Sequence, residues 1–300
     1  MISTLSKEMN IMNKHFLITA TEQKSSNYGV RFFGHFFENK KDIKVTLFYT
    51  APRPPEEWED KPTMESERRR KAQEKENQAK GQKALDGAKK ILENLGFDSD
   101  QILTKVQTRM MSRAGDIIQE GSRENYDALV LGRRGLSWLE EAFDESVSKE
   151  ILERKYDFPI WLCRMPDLER KNVLVCVDGS EPAYRIADHV GFVLQEEKRH
   201  RVTLLRIKRD TAGQETAAIF EKAVKQMIKN GLSEGLIDSK EIETTDPAEA
   251  ILEEAENGKY AAVAAGWTGR GKGTLQRLFS GSNCHRLFRE LKGAALWTCY

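Results

Sequence analysis

The residues best suited to chemistry lie in two glycine-bearing loops. In "DALVLGRRGLSWLEEAFDESVSKEIL" (127–152), two residues separate Gly132 from Gly135, and nine more lead to Glu145 and Ser146 at the start of a helical pattern. In "AAGWTGRGKGTLQRLFSGSNCHRLF" (264–288), Gly266, Gly269 and Gly271 precede Gly281 and Ser282, with Arg270 and Lys272 adding positive charge. Glycine lets backbone N–H groups approach an anion, and a helix N-terminus supplies unpaired donors and a favourable dipole. Both loops therefore suit a phosphate, but the first places a carboxylate where the phosphate would sit. Two anions held close in a partly desolvated pocket repel each other. Glu145 instead suits its own helix dipole, as an internal anion replacing the external one.

Other chemistries fit less well. "GWTGRGKG" has the Walker A spacing from Gly266 to Gly271-Lys272, but Gly273 occupies the Ser/Thr position that would meet magnesium. A P-loop also follows the first strand of its domain, and this loop comes late. Ser282, Cys284 and His285 crowd together in "SGSNCHR", yet catalytic Cys-His partners usually meet only through the fold, so packing or solvent-facing roles are expected. Asp178 could place a metal, but no accompanying base, ligand set and transition-state cation is evident, so at most weak ATP hydrolysis is expected.

The bulk composition narrows the class. The 300 residues suit two domains, and 39% hydrophobic with 32% charged residues describes a globular, well-solvated chain. With 48 basic and 47 acidic residues there is no global field to draw the chain to nucleic acid or an acidic membrane. The four cysteines, Cys163, Cys176, Cys284 and Cys299, form no CxxC pair, which fits a reducing cytoplasm. Cys163, Cys176 and Cys299 fall in strand patterns and read as core residues. No signal-peptide pattern or membrane-length apolar run is present, so a cytoplasmic location without membrane contact is expected.

The elements that must position these loops occur twice. "HFLITAT" (15–21) matches "NVLVCVD" (172–178), and the same gapless register aligns Gly34 with Gly191 and "VTLFYT" (45–50) with "VTLLRI" (202–207). "AGDIIQEGSRENYDALVLG" (114–132) matches "AEAILEEAENGKYAAVAAG" (248–266), and the last strands place Trp161 over Trp297 and Cys163 over Cys299. This is a whole-domain duplication rather than a solenoid. Copy one is assigned to residues 1–166 and copy two to 167–300, joined in the polar "RMPDLERKN" (164–172).

Within each copy, short β-branched runs alternate with helical stretches, the pattern of βαβ units and a parallel sheet covered on both faces. Copy one carries a Pro-rich, charged insertion at about 51–95, with apolar positions near Ala84, Ala88, Ile91 and Leu95. It reads as a solvated helix with an amphipathic end rather than a partner-binding arm. Ligands of such sheets bind beyond the carboxyl ends of the strands, where strand order reverses. That directs attention to the loops after the first and fourth strands of each copy. In copy two the first loop is "VDGSEPAYR", with Asp178 at the strand end, Gly179 in a tight turn, and Ser180 and Glu181 at a helix start.

Two tandem α/β copies, each with a first-strand loop and a late glycine loop leading to a last strand, resemble the universal stress proteins over nearly the whole chain. The resemblance implies two doubly wound parallel-sheet domains of the Rossmann-like, adenine nucleotide alpha hydrolase-like type, paired through their last strands as an internal pseudo-dimer. Nucleotide-binding members of that family carry Gly, two residues, Gly, nine residues, then Gly-Ser or Gly-Thr, with an Asp ending the first strand. Copy one keeps the spacing but has Glu145 for the second phosphate glycine and Thr21 opposite Asp178, so it is expected to have lost the site. Copy two keeps Asp178, Gly266, Gly269, Gly281 and Ser282, with eleven rather than nine residues between Gly269 and Gly281; counting from Gly271 restores nine. The resemblance places adenine near Ile207 and implies ATP or another adenine nucleotide, with or without Mg. It leaves open further homo-oligomerisation, and an interaction scaffold that binds no nucleotide is the alternative.

Overall fold

The structure is a computed structural model that describes residues 14–22, 27–55, 63–132, 158–195, 197–208, 216–266 and 281–300, of which 281–285 are described as backbone only. Copy one runs β1 (Lys14–Thr19), α1 (Tyr28–Phe36), β2 (Ile43–Ala51), α2 (Met64–Asn94), β3 (Ile102–Thr108), α3 (Arg113–Arg123), β4 (Ala128–Gly132) and β5 (Ile160–Cys163). Copy two runs β6 (Val173–Cys176), α4 (Glu181–Leu194), β7 (Val202–Lys208), α5 (Thr216–Lys229), β8 (Ile237–Glu243), α6 (Pro247–Asn257), β9 (Ala262–Gly266), α7 (Gly281–Glu290) and β10 (Ala295–Cys299). The expected α/β architecture is present in both.

All ten strands join one sheet in the order β3-β2-β1-β4-β5-β10-β9-β6-β7-β8. Neighbours within each copy are parallel, and β5 and β10 pair antiparallel, Trp161 opposite Trp297. The order is thus mirrored about the β5–β10 seam, which makes the two halves an internal pseudo-dimer. In each half the chain leaves its first strand for one side of the sheet and returns to the other. The switch points lie between β1 and β4 and between β6 and β9.

Central strands are apolar on both faces because helices cover both. Phe16, Leu17, Ile18, Val173, Leu174 and Val175 are wholly buried, and alternate residues fall into different apolar clusters. The outer strand β8, "IDSKEIE", is mostly exposed and carries charge along its length, which discourages pairing with another chain's edge.

The charged segment of copy one forms the crossover helix itself. α2 spans 31 residues where α5 spans 14, and both lead into a short 3-10 turn and an outer strand. Thr63 and Ser66 form a reciprocal capping box at its start, at 3.0 and 2.8 Å. Burial begins at Asn77 and follows Gly81, Ala84, Leu85, Ala88 and Leu92, so the first thirteen residues, 64–76, stand clear of the core. Leu85 and Leu92 form the buried stripe, while Ile91 and Leu95 lie at its margin.

The seam is closed by aromatic packing and asymmetric polar contacts. The Trp161 and Trp297 rings stack on each other, and Phe32, Phe36 and Phe37 of copy one surround Trp161. From the α4–β7 connection, Glu197 accepts the Glu38 and Asn39 N–H groups at 3.3 and 3.2 Å, and His200 Nε2 lies 2.8 Å from the Phe36 carbonyl.

Candidate functional site

In copy two the first-strand loop is organised by short side-chain caps. Asp178 accepts the Ser180 N–H through Oδ1 at 2.9 Å, Ser180 Oγ accepts the Ala183 N–H at 3.3 Å, and Pro182 falls in the first turn of α4, where its missing N–H costs nothing. Between them Gly179 has φ +84°, a conformation that costs an L-residue with a side chain about 1–2 kcal/mol. The Tyr184 N–H is taken by the Ser180 carbonyl at 3.1 Å. The α4 terminus thus spends most of its donors on its own loop.

Gly266, the last residue of β9, lies directly under that turn. A Cβ there would stand 2.5 Å from the Pro182 carbonyl carbon and 2.6 Å from the Ala183 nitrogen. Asp178 and Gly266 therefore border the same first turn of α4, at the switch point between β6 and β9. Cys299, on the far side of β9, donates its thiol to the Pro182 carbonyl at 3.7 Å. Burial pushes that thiol up to about 12, which makes it a packing group rather than a nucleophile. Cys163 and Cys176 are likewise buried, as their strand positions predict.

Ile207 is buried in the cluster between the sheet and helices α6 and α7, together with Cys176, Leu205 and Ile251. Its side chain is thus committed to the core rather than open at the strand end. Gly281 is the first residue of α7 and Ser282 the second, so both contribute N–H groups from the helix's unpaired first turn. Gly269 and Gly271 lie outside the described residues, as do Gly135, Glu145 and Ser146 of copy one. Two residues without a motif signal, Lys222 and Tyr184, flank the loop. Lys222 of α5 stands 3.8 Å from the Tyr184 ring centroid and 3.2 Å from Glu181 Oε1. The signal for them lies in the 3.6-residue phase of α4 and α5, but which faces meet is set only in three dimensions.

The matching site in copy one is differently wired. The Thr21 N–H and hydroxyl both donate to Asn27 Oδ1, at 3.0 and 3.3 Å, and α1 begins only at Tyr28. Glu22, opposite Gly179 in the repeat, accepts the Tyr49 hydroxyl at 2.6 Å, and Tyr49 stands opposite Arg206. Burial and then the Glu22 hydrogen bond raise the Tyr49 phenol well above its ordinary range. Here the close approach of helix to strand end is made by Gly29, whose Cβ would lie 3.1 Å from the Gly132 nitrogen.

A mirrored pair of five-stranded α/β halves, each reversing its strand order beside its first strand, defines a tandem protein of the Rossmann-like class. The universal stress protein family model matches residues 12–163 and again 169–294. The chain belongs to the universal stress protein family, as a tandem member. It is similar to a universal stress protein from Archaeoglobus fulgidus DSM 4304, at 17% identity over 96% of this chain and 97% of that one, TM-score 0.62. A Pseudomonas aeruginosa UCBPP-PA14 structure assigned to the same group aligns over 96% of this chain and 93% of its own, at 9% identity and TM-score 0.50. A universal stress protein solved in complex with cAMP aligns over 44% of this chain and 97% of its own, at 20% identity and TM-score 0.35. No curated protein matches the chain in sequence. Among the described residues, no helix is long and apolar enough to cross a membrane.

Proposed function

We propose that this tandem universal stress protein is an adenine-nucleotide-responsive binding protein with its site in copy two. The observation that carries the reading is the packing of the Asp178–Gly179–Ser180 turn and the first turn of α4 onto Gly266 at the β6/β9 switch point. Because α4 caps itself, the phosphates fall to the N-terminus of α7 at Gly281 and Ser282, with Gly269 and Gly271 in the sequence that precedes it. Asp178 and the Ile207 backbone serve the nucleoside end. ATP, with or without Mg, is the first ligand to test, and cAMP the second. The role is binding rather than turnover, in the reducing cytoplasm that the cysteine pattern suits.

Copy one serves as the structural partner, since Glu22–Tyr49 and Thr21–Asn27 occupy each other at its corresponding loop. Calorimetric titration with ATP, alone and with Mg, tests the assignment. One site per chain, lost in Gly281→Glu, is expected; heat unchanged in that variant contradicts it. The exposed start of α2 favours a second reading, an interaction scaffold. Absence of binding at millimolar ATP together with capture of a specific protein by full-length chain, lost on deleting 64–76, would support the scaffold.

A further inference from the structure

We propose that the seam between the two copies carries an acid-released latch: His189 of α4 holds the Trp161 indole of β5 only while its Nε2 is unprotonated. Trp161 Nε1 lies 2.9 Å from His189 Nε2. An indole nitrogen can only donate, so the imidazole nitrogen facing it must accept. A proton on Nε2 would set N–H against N–H in a site closed to water, and the bond would be lost.

The latch exists on one side only. In the register that aligns β1 with β6, the residue matching His189 is Phe32, which has no acceptor. Accordingly, Trp297 Nε1 is buried without a hydrogen-bond partner among the described residues. The two indoles share their stacking and differ in this bond, which separates the polar contribution from the packing.

Few groups could compensate a charge there. β5 and β10 present Trp161 and Trp297 and contain no carboxylate; their ionisable groups are the thiols Cys163 and Cys299, which burial keeps protonated. The charged or titratable groups on the adjoining helices are Glu181, Tyr184, Arg185 and Asp188 on α4, Tyr28, Arg31 and His35 on α1, and Glu221, Lys222, Lys225 and Lys229 on α5. Burial alone drives His189 down to about 3 from its ordinary 6.5. The unfolded chain therefore binds this proton first. The contribution is fully present above pH 6.5 and is lost as pH falls toward 3.

Urea unfolding of the full chain between pH 8 and pH 4, beside His189→Gln, tests the latch. The glutamine can accept the indole proton through its amide oxygen but does not titrate. Below about pH 6, the folded-to-unfolded ratio of the native chain should fall about tenfold more per pH unit than that of the variant. Parallel acid limbs in the two proteins overturn the proposal. Trp161→Phe keeps a ring in place and removes the donor, which gives an independent reading: a smaller loss of stability from pH 8 to pH 4 than in the native chain supports the latch, and an equal loss overturns it.

Discussion

The rings of Trp161 and Trp297 stack 3.9 Å apart with their planes 7° from parallel, directly opposite each other in the antiparallel β5–β10 register. One residue from each copy thus marks the pseudo-two-fold axis, and both are wholly buried. Truncating either leaves a large cavity facing the other ring. Trp161→Ala or Trp297→Ala should each cost about 3–5 kcal/mol in urea unfolding. The stacked pair should also give a coupled circular-dichroism signal that either substitution abolishes.

Gly266 and Gly29 make the same helix-to-strand approach with different clearances. Alanine at 266 drives its methyl into the Pro182 and Ala183 backbone, whereas at 29 the nearest atom is 3.1 Å away. Gly266→Ala should cost about 1–3 kcal/mol and weaken ATP binding. Gly29→Ala should cost less and leave ATP binding unchanged. Thermal unfolding and calorimetry on the two variants check both statements.

A buried polar lock is repeated in the two copies. Lys105 Nζ lies 2.6 Å from Glu120, whose carboxylate also accepts the Tyr126 hydroxyl at 3.3 Å; Lys240, Glu254 and Tyr260 repeat it at 2.6 and 3.2 Å. Glu120 has no exposed side-chain surface and Glu254 retains 11%. Removing the lysine strands a carboxylate, so Lys105→Met should destabilise by about 1–3 kcal/mol and Lys240→Met by less. Urea unfolding of the single variants gives the order.

Burial raises the thiols of Cys163 and Cys299 above the ordinary cysteine range, and Cys176 is equally enclosed. At pH 8 the folded chain should leave all three unmodified by iodoacetamide, and urea should expose them together. Peptide mapping after alkylation reads the outcome at each position.

The duplication was legible because strands buried on both faces appear as continuous apolar runs, so "FLIT" and "VLVC" stand out against charged helices. Trp161 over Trp297 was legible from their shared place in the last strands. The α2 helix could be read from its composition, but its buried stripe of Leu85 and Leu92 depends on how the helix lies across β2 and β3. At the candidate site, residue type and spacing pointed to Asp178 and Gly266. The clearance that makes Gly266 necessary depends on where α4 starts. The His189–Trp161 bond had no sequence signal, since it joins residues from different copies whose side-chain directions are fixed only once the seam forms. Glu22 and Tyr49 likewise meet through the alignment of β2 beside β1.

Hydrogen-exchange mass spectrometry of the full chain, with and without saturating ATP, tests the placement of the site most directly. Slowed exchange is expected in peptides covering 177–184 and 281–290, with the matching loop of copy one, 19–28, unchanged. Protection at 19–28, or an unaltered 177–184 under conditions where ATP binds, would contradict it.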